Sequence, residues 1–225
     1  MCEAKLLYRR GGRALPEPLF CAAAAKSGPS RVRRIKLAVS GILTPKVHGG
    51  DCVRETSYHA VITEMTVRAL WETQNVLDCI PDEIWDTLYS GSPLWQHVYH
   101  MLHSLDQWFI NPRANDFVEP PIHMPDLQDL DIYPATHLDR GQIEEYFYTI
   151  KAKLSLYLTS LHDEDLLQRP ENCPWTRFTL ILSQYRHLHL HLGMLMGFVV
   201  AATGLCPRTL EPGEAFPRPP YDPYR

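Results

Sequence analysis

The run from about Trp175 to Thr203 constrains the fold more than any other stretch. Pro174 stands before it and Gly204 after it, the punctuation of a helix start and a helix C-terminal cap. At 3.6 residues per turn the run is apolar on two faces. Phe178, Ile181, Tyr185, Leu188, Leu192 and Val199 share one face; Leu180, His187, His191, Met194 and Phe198 share another. A helix apolar on two faces is buried among neighbours. His187, His189 and His191 interrupt the run, so no uninterrupted apolar stretch reaches the ~18 residues that a membrane span needs.

The chain supplies three more helical patterns. Ser57 to Cys79 places Val61, Met65, Ala69, Val76 and Ile80 on one stripe. Pro81 with Asp82 and Glu83 opens a short turn through Trp85 and Leu88, and Gly91 breaks the chain. Ser92-Pro93 reads as an N-cap and first helical residue. The helix that follows runs to about Ile110, stops at Asn111-Pro112, and carries Leu94, Val98, Met101, Leu105 and Phe109 on its core stripe. The third pattern runs from about Arg140 to Leu161, with Ile143, Phe147, Ile150, Leu154 and Leu161 inward and Lys151 and Lys153 outside the stripe. His162-Asp163-Glu164-Asp165 is an acidic turn. Between the second and third helices, residues 111–138 hold five prolines and five acids. That segment reads as a solvated irregular connection, with a pocket cover or a crossover as the alternatives.

No strand pattern and no internal repeat emerge, so the fold class is all-α, a four-helix bundle over residues 55–207. Residues 1–54 show no sustained period and are expected to be a disordered basic leader; a transit peptide and a natural start further in, at Met65, are the alternatives. Residues 208–225 are Pro-rich and are also expected to be disordered.

Charge divides along the same line. Residues 1–50 carry ten Lys/Arg against two acids, whereas residues 51–225 carry twelve against twenty-four. An acidic body argues against nucleic acid as the main partner. Six cysteines without a C-x-x-C pair exclude a zinc knuckle and a dithiol redox motif, and make a reducing, cytoplasmic setting the default. No G-x-S-x-G occurs, so serine-triad hydrolysis has no support.

The chemistry lies in the histidines. His187 and His191 are four residues apart, one turn on the same face, with a rise of about 6 Å. Two imidazoles placed that way can hold one metal ion, as in H-E-x-x-H enzymes. A pair of structural histidines in a buried helix is the competing explanation, and the source of a third ligand is open. The second helix offers Gln96-His97-Val98-Tyr99-His100-Met101-Leu102-His103. On a helical wheel His97 lies nearer the apolar stripe than His100, and His103 lies almost opposite it. His189 and His103 read as surface or supporting residues, Asp106 as a solvated carboxylate, and Tyr185 as core.

Over roughly residues 57–205 the chain resembles the DinB-like superfamily of four-helix bundles, which includes metal-dependent thiol S-transferases. His187-x-x-x-His191-x-Gly193 resembles that family's H-x-x-x-H-x-G motif. His100 followed six residues later by Asp106, Trp108-Phe109 downstream, and Ile80-Pro81-Asp82-Glu83 after the first helix share its texture. The resemblance implies that one histidine of the second helix and two of the last bind one divalent metal: His100, His187 and His191. The family pattern selects His100 where the wheel selects His97, and His97 stands as the alternative ligand. Met194 occupies the position where many members carry Gln.

Three neutral imidazoles leave a divalent ion an open position. The implied cofactors are zinc, nickel or iron(II), and a low-molecular-weight thiol. The implied activity is S-transfer or hydrolysis on a small-molecule substrate; a thiol-dependent isomerase is also known in the family. No residue selects between water and thiol. The second reading is a non-catalytic metal- or ligand-binding bundle in stress response or regulation. A homodimer across an apolar helical face is compatible with the pattern, but no residue requires one.

Overall fold

The computed structural model describes residues 57–110 and 117–225. The leader and the prolyl stop at Pro112 fall outside the described residues. The described chain is mostly helical, with one two-stranded ladder. Its elements in order are α1 (Tyr58–Cys79), a 3-10 turn (Asp82–Ile84), β1 (Leu88–Tyr89), β2 (Ser92–Pro93), α2 (Leu94–Phe109), α3 (Arg140–Ser160), α4 (Asp163–Leu166) and α5 (Arg177–Thr203). No helix among the described residues is long and apolar enough to cross a membrane.

Each long helix begins where local chemistry can satisfy its free N–H groups. The Ser57 hydroxyl accepts from the Ala60 N–H at 3.1 Å. Asp139 and Gln142 form a reciprocal capping box on α3. Thr176 caps α5 through Thr179 N at 3.2 Å. Gly204, at φ 73°, closes α5 in the left-handed conformation that glycine adopts without strain. α2 departs from the expected Ser92 cap. Pro93 is its extended capping residue, and the Ser92 hydroxyl donates instead to Leu130 O at 2.7 Å. Ser92 and Pro93 pair with Tyr89 and Leu88 across a turn in which Ser90 (φ 54°) and Gly91 (φ 96°) both have positive φ. A ladder two residues long is too short to leave an alternating pattern, which is why the sequence showed only a break at Gly91.

α2 is the central element, packed on α5 and α3, while α1 packs on α5 and α3. Leu94, Val98, Met101, Leu102 and Leu105 of α2 meet Phe147, Ile150 and Leu154 of α3 and Ile181 and Val199 of α5 in one core. Each such burial is worth about 1.5–3 kcal/mol. Burial of α2 extends well past the expected stripe, to Gln96, His97, Tyr99, His103 and Asp106. The β1–β2 turn holds His97 and α3 holds Asp106, whereas Gln96, Tyr99 and His103 meet the connection before α3. The acids of that connection, Glu119, Asp126, Asp129 and Asp131, are exposed as expected, but Leu127 and Leu138 are buried in the core, and the Gln96 amide donates to Leu127 O, Asp129 O and Ile132 O at 3.0–3.3 Å.

Two further expectations are corrected. The α1 stripe is rotated: Val61 and Met65 are exposed, and Ile62, Thr66, Ala69, Thr73 and Val76 face inward. Thr66 and Thr73 are tolerated there because their hydroxyls donate back to Ile62 O and Ala69 O, at 2.6 and 2.7 Å, leaving their methyls to pack. Nor is the Pro-rich tail disordered. Asn75 Nδ2 donates to Arg208 O and Pro223 O at 3.1 and 2.9 Å, Pro207 bridges to Tyr224, and Trp71 lies 5.8 Å from Tyr221. Prolines exclude a helix, but an extended prolyl chain keeps its carbonyls free to accept from a neighbouring side chain.

Candidate metal centre

The packing of α2 on α5 brings His100 against His187 and His191. His100 Nδ1 donates to Gln128 O at 2.6 Å, which turns the Nε2 lone pair of that ring toward α5. His100 Nε2 lies 3.3 Å from His187 Nε2, and His191 Nε2 lies 3.2 Å from the same atom. Ligands bound tetrahedrally at about 2.0–2.1 Å stand about 3.3–3.4 Å apart, so the spacing of these nitrogens matches a shared ion. The Nδ1 atoms of His187 and His191 are buried without a partner.

Mutual hydrogen bonding does not satisfy the three rings. With its proton on Nδ1, His100 can only accept at Nε2. His187 Nε2 can donate to one neighbour but not both. Every choice of tautomers leaves a buried N–H without an acceptor, or two lone pairs or two N–H groups facing each other. A cation at the meeting point of the three Nε2 atoms would take up all three lone pairs there, with the protons of His187 and His191 carried on their buried Nδ1 atoms.

Electrostatics favour the ligand form of each ring. Burial, followed by the other imidazoles, pushes His187 down to about 4 and His191 to about 3. Burial also lowers His100, against the opposing hydrogen bond to Gln128. The rings are therefore neutral at pH 7, as coordination requires. The cluster is made of imidazoles alone, so a bound ion would keep its full double charge and act as a stronger Lewis acid than one beside carboxylates. His191 is buried, while His100 and His187 are half-buried.

The other sequence candidates go elsewhere. His97 is turned inward, as its wheel position indicated, but its Nε2 is held by Tyr89 O at 2.8 Å and its ring lies against Phe198. It fastens the β1–β2 turn. His189 is exposed, with Nδ1 on Tyr185 O at 2.8 Å. The Tyr185 hydroxyl bonds Thr66 Oγ1 at 2.6 Å and donates to Ile62 O at 2.9 Å, tying α5 to α1. Asp106 is not solvated. It is buried, accepts from Tyr146 Oη at 3.0 Å and pairs with Lys153, because both partners reach down from α3. His103 is likewise buried rather than superficial, against Glu119 of the connection.

Two supporting groups escaped sequence reasoning: the Gln128 carbonyl, and Gln96, which anchors the residues on either side of it. One signal for Gln96 was present. It stands four residues before His100, on the same helical face, so whatever covers one covers the other. An apolar depression of about 280 Å³, lined by Met65, Tyr185, Arg186 and His189, includes none of the three histidines. Comparisons with protein-family models, with curated proteins and with solved structures found no match for this chain.

Proposed function

We propose that the chain is a metal-dependent enzyme built as a DinB-like four-helix bundle, in which His100, His187 and His191 hold one divalent ion of zinc, nickel or iron(II). The substrate is a small electrophilic molecule, and the reaction is attack on it by a low-molecular-weight thiol or by water. One observation carries this reading: three neutral imidazoles, one buried and two half-buried, converge through Nε2, with His187 Nε2 at 3.2–3.3 Å from the other two. When bound, the ion supplies Lewis acidity, lowering the pKa of a coordinated thiol or water. The chain supplies the rest. Gln128 O fixes the His100 tautomer, burial keeps the rings unprotonated, and the half-buried rings of His100 and His187 mark the approach for substrate. The acidic body and the cysteine usage support a cytoplasmic protein that acts on small molecules rather than nucleic acid.

The test is a thiol-consumption assay. Zinc- or nickel-loaded protein is mixed with a panel of low-molecular-weight thiols and an electrophile such as a chlorinated aromatic, beside chelated protein and a hydrolysis control without thiol. Metal-dependent thiol loss supports the transferase; metal-dependent hydrolysis without thiol supports the hydrolase. Equal rates in loaded, chelated and protein-free samples would reject catalysis. A non-catalytic, metal-binding bundle in a stress or regulatory role is the second reading. The observation in its favour is that the 280 Å³ depression lies apart from the three histidines.

A further inference from the structure

A second group of metal-ligating side chains lies one turn further along α2. We infer that His103, Glu119 and His123 form a second, chemically distinct divalent-metal centre. Glu119 Oε2 lies 2.7 Å from His103 Nε2 and 3.5 Å from His123 Nδ1, and the donor atoms of the three residues all fall within 4.8 Å of one another. The two imidazole rings stack at 5.2 Å with 24° between their planes. The Tyr99 hydroxyl lies 2.7 Å from His123 Nδ1.

A hydrogen-bonded network, with Glu119 on His103 Nε2 and the Tyr99 hydroxyl on His123 Nδ1, is the competing explanation. His103 and Glu119 pair at 2.7 Å, and His123 Nδ1 comes within 3.5 Å of the same carboxylate oxygen, so three side chains of metal-ligating types meet at one place. Glu119 is about half exposed at 46%, and its Oε2 faces both rings. Two neutral imidazoles and one carboxylate form a His₂Glu set, the donor combination that suits zinc or iron(II). The set carries one negative charge, whereas the three-histidine cluster carries none. The two centres are thus separable by substitution, and this inference does not depend on the first site being occupied.

An ion at His103, Glu119 and His123 would fasten the start of the connection, at residues 119–123, to α2. The same connection presents Gln128 O to His100. The second centre is therefore placed to hold the scaffold of the first.

The experiment loads the full chain with zinc alone, removes free metal by gel filtration, and counts zinc per chain by elemental mass spectrometry. Glu119→Gln and His123→Ala alter a half-exposed and a half-buried side chain, so the core is spared; circular dichroism verifies that the variants are folded. Each is expected to carry one zinc fewer than the wild-type chain, His191→Ala to lose one as well, and His123→Ala/His191→Ala to lose two. Reading the difference from wild type cancels any metal held by other residues. Folded Glu119→Gln and His123→Ala proteins that retain the wild-type zinc count would overturn the inference, whatever His191→Ala does.

Discussion

Gln96→Leu separates positioning from folding at the three-histidine cluster. Gln96 is fully buried, and its Nε2 faces Leu127 O, Asp129 O and Ile132 O at 3.3, 3.0 and 3.0 Å. Leucine has nearly the same volume, so no large cavity forms, but the carbonyls lose their donor. Two N–H groups can make two full bonds at once, each worth about 1 kcal/mol net, and stranded buried acceptors add to the loss. The expected destabilisation is about 2–4 kcal/mol. The same substitution frees the residues that flank Gln128, whose carbonyl orients His100 at 2.6 Å. Loss of such an outer contact typically weakens metal binding about 10–100-fold. Stability is read by urea unfolding of the metal-free protein, and affinity by zinc competition against a chelating dye. If stability falls while zinc affinity stays at the wild-type value, the Gln128 carbonyl does not orient the ligand, and the reasoning fails at that link. If neither changes, the buried-donor argument fails as well.

Acid should weaken the metal-free protein through the same cluster. The folded-state values of His187 and His191 lie below the unfolded value near 6.5, so the unfolded chain takes up more protons, and stability present above pH 6.5 is lost progressively as pH falls toward 4. Discounted for the partial exposure of His187, the loss from pH 7 to 5 is on the order of 3 kcal/mol, and it should be missing from a His187→Gln/His191→Gln chain in the same melting series. Asp106→Leu strands the Tyr146 hydroxyl and deprives the partly exposed Lys153 of its partner, and should cost about 1–3 kcal/mol by chemical unfolding; a loss under about 0.5 kcal/mol would mean the pair is solvated. Asn75→Ala removes both side-chain bonds to the tail and should lower stability by about 1–3 kcal/mol, with faster amide exchange confined to residues 207–225; unchanged exchange would show that the tail does not rely on α1.

What the sequence made legible was whatever repeats with a helical period or sits beside a cap. Ser57, Pro174 and Gly204 bounded the first and last helices closely because N-caps, prolines and left-handed glycines act locally. The pairing of His187 with His191 was visible for the same reason. Contacts made by irregular backbone were not visible. Asp106 and His103 fall away from the apolar stripe, and only the arrival of Lys153, Tyr146 and Glu119 from distant segments turns them inward. His97 shows the converse: its wheel position correctly indicated burial, but a two-residue ladder with no periodic signature had already claimed its Nε2. The tail was misread because proline content reports on helix formation and carries no information about whether an extended chain finds donors.

The most direct test of the central claim is the metal content of protein purified without a metal-binding tag, measured by elemental mass spectrometry in the wild type and in His100→Ala, His187→Ala, His191→Ala and His97→Ala. Each of the first three variants is expected to hold one divalent ion fewer than the wild type, while His97→Ala, whose Nε2 holds the Tyr89 carbonyl, keeps the wild-type count. A wild-type chain that holds no zinc or nickel even after reconstitution would contradict it, as would loss of the ion on substituting His97 but not His100.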